Sequence, residues 1–395
     1  MLTATRIRLY PNAAQRQSLA RQFGCARWVW NEALTETQRL YKETGKGLAY
    51  ESMSVRLPKL KMEHEWLGEA SAQALQQSLR NLSRAFVNFF EKRGEFPRFK
   101  SKHRPQSIQF PQAVKLDGNR IRLPKTGLVK CVVHRKIVGT IKTVTVSRTA
   151  CGHFYASVLA ENGLDMPSIS ADGPVLGIDV GLIDFAVTSK GQHFANPRHL
   201  RKAEKNLKRK QKKFSRKKKG SNSRNKARRL VARLHERVAN ARKDFLHKVS
   251  RKLVNENQVI AVEDLCVKAM VRNPNLAKSI ADAGWGTFSR FVEYKAARDG
   301  KLFVKTNRWF PSSKACHVCG MIHDGMDLSV RRWTCKGCGT VHNRDENAAS
   351  NIRDEAKRMI RVGVIPAPAS GMGAAASGGA VSRRRGRKPS VTQAP

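Results

Sequence analysis

The chain has 395 residues, with 76 Lys and Arg against 30 Asp and Glu, and its formal net charge is +46. Such an excess of one charge opposes compaction unless a polyanion binds it, and counterion release from phosphates makes nucleic acid the expected partner. No apolar run approaches the 18 residues of a membrane-spanning helix, and MLTATRIRLYP lacks the apolar core of a secretory signal, so we expect a cytoplasmic protein without a membrane partner.

The first 160 residues predict a β-module interrupted by helices. Residues 3–9 alternate between polar and apolar side chains, as in a strand. Residues 12–95 follow the helical period, and residues 106–160 return to a period of two, with Asp117-Gly118-Asn119 as a hairpin turn. The simplest architecture is a small β-barrel built from the first strand and residues 106–160, with the helical block inserted between its strands.

The second half of the chain predicts another sheet. After a linker at residues 161–173, PVLGIDVGLIDFAVTS indicates two apolar strands joined by a turn, and QVIAVEDL (258–265) indicates a strand buried on both faces. Between them, residues 198–229 carry 17 Lys or Arg and one acid, and a thin apolar stripe predicts helices with a break at 220–223. Residues 344–360 predict a final helix.

Four of the eight cysteines have the spacing of a zinc site, with two Cys-x2-Cys pairs fifteen residues apart. They are Cys316, Cys319, Cys335 and Cys338. Four thiolates complete a tetrahedral site, so the predicted zinc is structural and not catalytic. His317, His323 and His342 could substitute as ligands, and a redox pair or four unrelated thiols are the other interpretations. The remaining cysteines have the contexts of small buried thiols.

Two acids end or interrupt apolar strands. Asp179 lies inside LGIDVG, where a charge is costly unless it is paired or binds a metal, and a strand-end cap is the alternative role. Glu263 follows VIAV, and alternation places it on the strand face of Val259 and Ala261. Its neighbour Asp264, which would face the opposite side, is the alternative to Glu263.

Asp345 is the third acid, at the start of the final helix. Asn343 and Glu346 are close to a capping box, with Asn343 as N-cap and Glu346 at the third helical position. Asp345 then lies in the first turn without being needed for the cap. Ala348 and Ala349 would let this helix pack closely on a sheet.

Bringing three carboxylates together requires cations, because two like charges about 4 Å apart repel by roughly 4 kcal/mol at an effective dielectric constant of about 20. Hard oxygen ligands suit Mg²⁺ or Mn²⁺. Two such ions about 3.5–4 Å apart would activate water and stabilise the leaving oxygen in phosphodiester hydrolysis. We therefore predict catalytic and metal-binding roles for Asp179, Glu263 and Asp345.

GIDVG, VEDL and RDENAASNI, in this order, resemble the motifs of RuvC-like nucleases, whose RNase H-type sheet carries Asp on the first strand, Glu on a later strand and Asp on a late helix. With the zinc pattern ahead of the last motif, the chain is similar to the TnpB family of insertion-sequence proteins, relatives of type V CRISPR effectors. The similarity includes RLYPNAAQ, FPRFK, IADAGWG and FPSSKAC, and so extends from residue 1 to about residue 360.

The resemblance implies an RNA-guided DNA endonuclease with an α+β multidomain fold. Its parts would be a wedge β-barrel (1–11 and 104–165), a helical recognition lobe (12–103), an RNase H-like RuvC α/β nuclease domain (172–310 and 343–362), an inserted zinc ribbon (311–342) and a disordered basic tail (363–395). A guide RNA from the transposon end would pair with target double-stranded DNA beside a short flanking motif. We expect a monomeric ribonucleoprotein, associated with the nucleoid of a bacterial or archaeal cell.

By position, the resemblance places contacts to the flanking motif at Tyr50, Ser54 and Gln76. The basic helix would lie along RNA or the heteroduplex, because base pairing reads sequence and the protein holds backbones. Its candidate contacts are Lys208, Arg209, Lys212, Lys213 and Arg216. A solvated charged face is the alternative.

Two other functions remain open. A DDE-type transposase uses the same fold but carries Glu on the late helix, where this chain has Asp345. A nuclease-dead RNA-guided DNA-binding regulator would have no need of three costly acids.

Overall fold

The computed structural model describes residues 1–327 and 329–364, and the chain divides into two compact units, residues 2–162 and residues 163–364. The predicted basic tail lies outside the described residues except for its first two positions. Among the described residues, no helix is both long and apolar enough to cross a membrane.

The first unit contains a seven-stranded antiparallel sheet in the order β2-β6-β7-β1-β5-β4-β3. The strands are β1 (Leu2–Tyr10), β2 (Gln106–Phe110), β3 (Lys115–Asp117), β4 (Arg120–Leu123), β5 (Gly127–Val132), β6 (Thr140–Arg148) and β7 (Phe154–Glu161). β1 is central and pairs with β7 and β5. The predicted hairpin turn joins β3 to β4.

The predicted barrel is not closed by hydrogen bonds, which corrects the sequence-based expectation. Among the described residues, no ladder joins the edge strands β2 and β3, and residues 111–114 connect them instead. Pro111 directly follows β2 and has no N–H to donate to a ladder. Among the described residues, the sheet is open between β2 and β3.

The helical block lies between β1 and β2, as predicted. It comprises α1 (Ala13–Thr44), α2 (Tyr50–Glu63), a short 3₁₀ helix (Glu65–Glu69) and α3 (Ala72–Phe90). Asn12 caps the start of α1, where the side chains of Asn12 and Gln15 each accept a hydrogen bond from the other's backbone N–H. Gly45, with φ 72°, caps its end. Tyr41 and Phe90 are exposed near the ends of their helices.

The second unit contains a five-stranded sheet in the order β10-β9-β8-β11-β12. The strands are β8 (Val175–Val180), β9 (Asp184–Thr188), β10 (His193–Ala195), β11 (Val259–Glu263) and β12 (Leu302–Thr306). β8, β11 and β12 are parallel, whereas β9 and β10 run antiparallel to their neighbours. The predicted strand-turn-strand and the predicted buried strand are both present.

Helices cover both faces of this sheet. The helices of the second unit are α4 (His199–Ser215), α5 (Asn222–Glu256), α6 (Val267–Met270), α7 (Ala277–Ala283), α8 (Trp285–Arg298) and α9 (Arg344–Arg361). Ile178 and Val262 pack in one core with α5 and α8, whereas Val259 and Ala261 pack in another with Ile352 of α9. Successive side chains of a strand therefore face different helical layers.

Residues 307–343 connect β12 to α9. They include the antiparallel pair β13 (Arg332–Thr334) and β14 (Val341–Asn343). A small separate core contains Cys316, Met326, Trp333 and Cys335.

Candidate active site

Asp179 and Glu263 lie side by side on two neighbouring parallel strands. β8 and β11 are in register up to the pair Ile178 and Val262. Asp179 and Glu263 are the next residues of the two strands. Because Ile178 and Val262 pack against the α5 and α8 layer, alternation turns the two acids toward α9.

Gly177 lets α9 approach this end of the sheet closely. A Cβ at this position would lie 2.0 Å from the carbonyl oxygen of Ala349 and 2.5 Å from the amide nitrogen of Arg353. Ala348 and Ala349 are fully buried, as expected for a helix packed closely on a sheet. The packing places the first turn of α9, with Asp345, near the ends of β8 and β11.

Asn343 caps α9, as predicted. Its side chain accepts hydrogen bonds from the backbone N–H groups of Asp345 at 3.0 Å and Glu346 at 3.4 Å. The second half of the predicted capping box is replaced by another contact, because the Glu346 carboxylate meets His193 Nε2 at 3.0 Å. His193 Nδ1 lies 2.8 Å from Asp184, and the hydrogen bonds to Asp184 and Glu346 raise the pKa of His193. The side chain of Asp345 takes no part in the cap.

The electrostatics of the site favour a bound cation. Desolvation raises the pKa of Asp179 from 3.8 to about 8, although part of the side chain still meets solvent, and the charges of Glu263 and Asp345 contribute to the rise. Burial also raises the pKa of Glu263, while a hydrogen bond from Ser312 opposes this rise. A divalent cation would reverse the penalty on these negative charges.

Glu263 and Asp264 have different surroundings. The hydroxyl of buried Ser312 donates a hydrogen bond to the Glu263 carboxylate. The Asp264 carboxylate instead accepts a hydrogen bond from Arg308 Nη2 at 2.8 Å. Glu263 therefore contacts the segment that leads to the cysteines, whereas Asp264 pairs with Arg308.

A guanidinium from the segment between β12 and α9 reaches Asp345. Arg331 Nη1 lies 3.4 Å from Asp345 Oδ1, and the Arg331 carbonyl accepts a hydrogen bond from the Arg344 N–H at 2.9 Å. The positive charge of Arg344 opposes part of the rise in the pKa of Asp179. Two cationic side chains thus flank the acids.

The carboxylates of Asp179, Glu263 and Asp345 offer only oxygen donors, the set that Mg²⁺ and Mn²⁺ prefer. Within the described part of the chain, their oxygens do not form a group within 4.8 Å of one another. The chemistry of these donors, and not a closed group of ligands, is what suits them to hard divalent cations.

The four predicted zinc ligands converge. Their sulfur atoms all lie within 4.8 Å of one another, with 3.6 Å between Cys316 and Cys338 and 3.5 Å between Cys319 and Cys335. A tetrahedral zinc with Zn–S bonds of about 2.3 Å separates its sulfurs by roughly 3.8 Å, so the cluster fits zinc. His342 Nε2 lies 3.0 Å from Cys316 Sγ but is not a member of the group.

Comparisons with known proteins decide the family. A family model described as "Probable transposase" matches residues 165–274, and one described as "Cas12f1-like, TNB domain" matches residues 285–352. A Streptomyces pristinaespiralis protein named "Putative RNA-guided DNA endonuclease" is 39% identical over 357 residues, which cover 88% of each chain. InsQ of Escherichia coli K12, named in the same way, is 34% identical over 89% of this chain and 91% of its own. This chain belongs to the TnpB family of RNA-guided DNA endonucleases.

The TnpB-family fold extends to a more distant structure. The chain matches the cryo-EM structure of a Cas12f1–sgRNA–target DNA complex with a TM-score of 0.56 and 14% sequence identity, over 89% of this chain and 98% of that one. The likeness confirms a mixed α/β fold of the Cas12f1 type. A family model described as "Helix-turn-helix domain" matches residues 1–46, where the structure has β1 and the single long helix α1.

The basic residues predicted for nucleic acid lie on and just after α4 of this TnpB-family protein, where all five are exposed. Leu207 is buried, so α4 packs through its thin apolar stripe. Lys208 pairs with Glu204 at 3.1 Å, whereas Lys212 and Lys213 have no ion pair among the described residues. The exposed side of α4 is therefore strongly basic.

The predicted flanking-motif residues lie on adjoining helices. Tyr50 and Ser54 are one turn apart on α2, and Gln76 is exposed on α3. Arg80, one turn after Gln76, donates a hydrogen bond to the Tyr50 hydroxyl at 3.0 Å, and its guanidinium lies 5.2 Å from the ring centroid. Arg80 was missed because its local sequence resembles any exposed helical position.

Three side chains next to the candidate site were also missed, namely Ser312, Arg331 and His193. Each comes from a segment distant in sequence, so its proximity is a tertiary property. Only Ser312 had a local signal, because FPSSKAC places two small polar residues shortly before the first zinc ligand.

Proposed function

We propose that this chain is an RNA-guided DNA endonuclease of a transposable element, with its nuclease centre at Asp179, Glu263 and Asp345. The observation that carries the proposal is the placement of two acids on neighbouring parallel strands, beneath a helix whose first turn holds the third. Relatives that are 39% and 34% identical, named as such endonucleases, support the same activity.

The three carboxylates would hold two Mg²⁺ or Mn²⁺ ions. Bound there, the ions would supply an activated water and stabilise the leaving oxygen of a DNA phosphodiester. The Ser312 hydroxyl orients one oxygen of Glu263 and leaves the other free for a metal. The guanidinium of Arg331, beside Asp345, is suited to binding a backbone phosphate.

The finer architecture is part of this proposal. The second unit would contain a RuvC-like nuclease domain of the RNase H type, with a structural zinc ribbon inserted before α9. The open sheet and the helices of the first unit would act as the wedge domain and the recognition lobe. The fit of the four sulfurs to zinc supports the ribbon assignment.

A guide RNA from the transposon end would read the DNA by base pairing. The net charge of +46 supports this role, and so does the exposed basic side of α4, which would hold RNA or heteroduplex backbone. Tyr50, Ser54 and Gln76 would contact the flanking motif. The working complex would be a monomeric ribonucleoprotein.

Sequencing of the RNA that copurifies with the full chain tests the guide. We expect a discrete RNA from one end of the element, with a variable 3′ segment. Replacing that segment should redirect plasmid cleavage to the matching DNA. A random cellular RNA mixture, or cleavage that ignores the new segment, would contradict the proposal.

The family description "Probable transposase" keeps a DDE-type transposase as a second candidate. Its signature would be the joining of donor DNA ends to a target without RNA. A nuclease-dead regulator would bind guide and target and leave the target intact. The late Asp345 argues against the transposase, and the presence of all three acids argues against the regulator.

A further inference from the structure

Two asparagines on the inward side of α9 hold the chain that leads into the cysteine cluster. Asn347 and Asn351, one turn apart, are 2% and 7% exposed. The Asn351 amide donates to the carbonyl oxygens of Ser312 and Ala315, each at 2.7 Å. The Asn347 amide donates to the same two carbonyls, at 3.5 Å and 2.7 Å. Each carbonyl therefore accepts from both side chains.

We call residues 312–316 the anchor segment, because it touches both candidate metal centres. At its start, the Ser312 hydroxyl donates to the Glu263 carboxylate. At its end, Cys316 supplies the first sulfur of the zinc cluster. Ser312 is 3% exposed and Cys316 is 1% exposed, so both ends are fixed inside the protein.

The asparagines are not needed to form the elements that they join. α9 is capped by Asn343, and the cysteine segment has its own small core with Met326 and Trp333. Buried amides are costly unless they are fully bonded, and apolar side chains would pack on a sheet at less cost. Asn347 and Asn351 are therefore suited to fixing the position of the anchor segment.

We propose that the anchor segment couples the two metal centres: Ser312 orients Glu263 for binding a divalent cation, and zinc at the four cysteines fixes Ser312 through Cys316 and the asparagine pair. The inference rests on the proposed function, because it takes Glu263 as a metal ligand. Ser312 acts through Glu263 and is a positioning residue. Zinc would thus raise the affinity of the carboxylates for Mg²⁺ or Mn²⁺.

The first test is Mn²⁺ titration of the zinc-loaded, RNA-free full chain by electron paramagnetic resonance. Ser312→Ala should weaken Mn²⁺ binding about tenfold, as is typical when a hydrogen bond to a metal ligand is lost. Ser313→Ala, at the neighbouring half-buried serine, is the matched control and should bind like the wild type. Ser312→Thr keeps a hydroxyl and should restore most of the affinity.

The second test measures the coupling. Zinc is removed by Cys338→Ser, or by chelation with folding checked by circular dichroism, and the Mn²⁺ titration is repeated. Removal of zinc should weaken Mn²⁺ binding in the wild type but cause no further loss in Ser312→Ala. This variant already lacks the hydroxyl through which zinc would act on Glu263. The Asn347→Ala/Asn351→Ala variant should retain zinc and show the same loss of coupling.

Unchanged Mn²⁺ affinity in Ser312→Ala would overturn the positioning role, and an equal effect of zinc in both backgrounds would overturn the coupling. Glu263→Gln is the reference that separates this inference from the proposed function. If Glu263→Gln leaves Mn²⁺ binding intact, the proposed nuclease centre is wrong. If it abolishes binding while Ser312→Ala does not weaken it, only the coupling is wrong.

Discussion

Asp179 combines a nearly buried carboxyl group with two further acids nearby, and this combination ties its charge to metal binding. Desolvation is the largest cause of its raised pKa, and Glu263 and Asp345 add like charges. Without a cation, the folded protein therefore holds a proton on Asp179 near neutral pH. A bound divalent cation would displace that proton.

This state predicts a pH-dependent stability for the zinc-loaded protein free of Mg²⁺ and Mn²⁺. The pKa of Asp179 is about 8 in the folded protein, against an ordinary value of 3.8. The contribution of this carboxyl group to the stability of the fold is therefore fully present below about pH 4 and is lost as the pH rises to about 8. Asp179→Asn should match the wild type at pH 4. At pH 8 its Tm should be higher by at least about 3 °C, the shift expected from roughly 1 kcal/mol.

Thermal unfolding followed by circular dichroism at both pH values measures this difference. Mn²⁺ should raise the Tm of the wild type at pH 8 and leave that of Asp179→Asn unchanged. A constant difference in Tm between the two proteins from pH 4 to pH 8 would show that the carboxyl group does not titrate in this way.

At the same scale, the acids could be predicted from sequence because each conflicts with its local pattern. Asp179 and Glu263 lie in apolar strands. Asp345 lies in the first turn of a helix that Asn343 already caps, so the cap does not explain it. The partner of Glu346 could not be predicted, since His193 reaches it only through the edge strand β10. Asn347 and Asn351 could have been recognised in the sequence, because they are polar residues one turn apart, next to two buried alanines.

At the scale of elements, the site depends on the contact between α9 and β8. Alternation on β8 and β11 turns the acids to one face, and α9 covers that face at a distance that only glycine permits at position 177. The helical and strand periods predicted these elements well. They did not predict that the first sheet stays open. Closure depends on pairing between β2 and β3, and the spacing of apolar residues predicts strands but not which strands pair.

Gly177→Ala tests the close contact. The added Cβ would meet backbone atoms of α9, so the variant should lose about 3 kcal/mol of unfolding free energy and most of its Mn²⁺ affinity. Gly286→Ala is the control, since its Cβ would lie 4.0 Å from Val267 in ordinary contact. Urea unfolding and Mn²⁺ titration provide the measurements, and wild-type values for Gly177→Ala would refute the packing argument.

At the scale of the whole molecule, the charge of +46 implies a polyanionic partner, and the exposed side of α4 is a concentrated part of that charge. Composition alone could predict nucleic acid but not which basic residues touch it. The structure distinguishes two groups of basic residues: some are exposed and have no ion pair among the described residues, and others form ion pairs with acids of their own helix. Lys357 and Arg358 of α9, for example, pair with Asp354 and Glu355.

The salt dependence of RNA binding distinguishes these two kinds of basic residue. Changing Lys212 and Lys213 to Gln should make the slope of log affinity against log salt concentration less steep by about 1.5, because two phosphate contacts are lost. Changing Lys357 and Arg358 to Gln should alter the slope much less. An unchanged slope on changing Lys212 and Lys213 would mean that α4 is a solvated face.

The central claim is that Asp179 belongs to a metal-dependent centre that cuts guide-matched DNA. Its most direct test compares Asp179→Asn with Asp264→Asn, which changes the acid that directly follows Glu263 and β11, in ribonucleoproteins that carry the same guide RNA. Plasmid cleavage should be undetectable in Asp179→Asn and near the wild-type rate in Asp264→Asn, with target DNA bound within a few-fold of wild type in both. Cleavage by Asp179→Asn at the wild-type rate, or loss of DNA binding together with cleavage, would contradict the account.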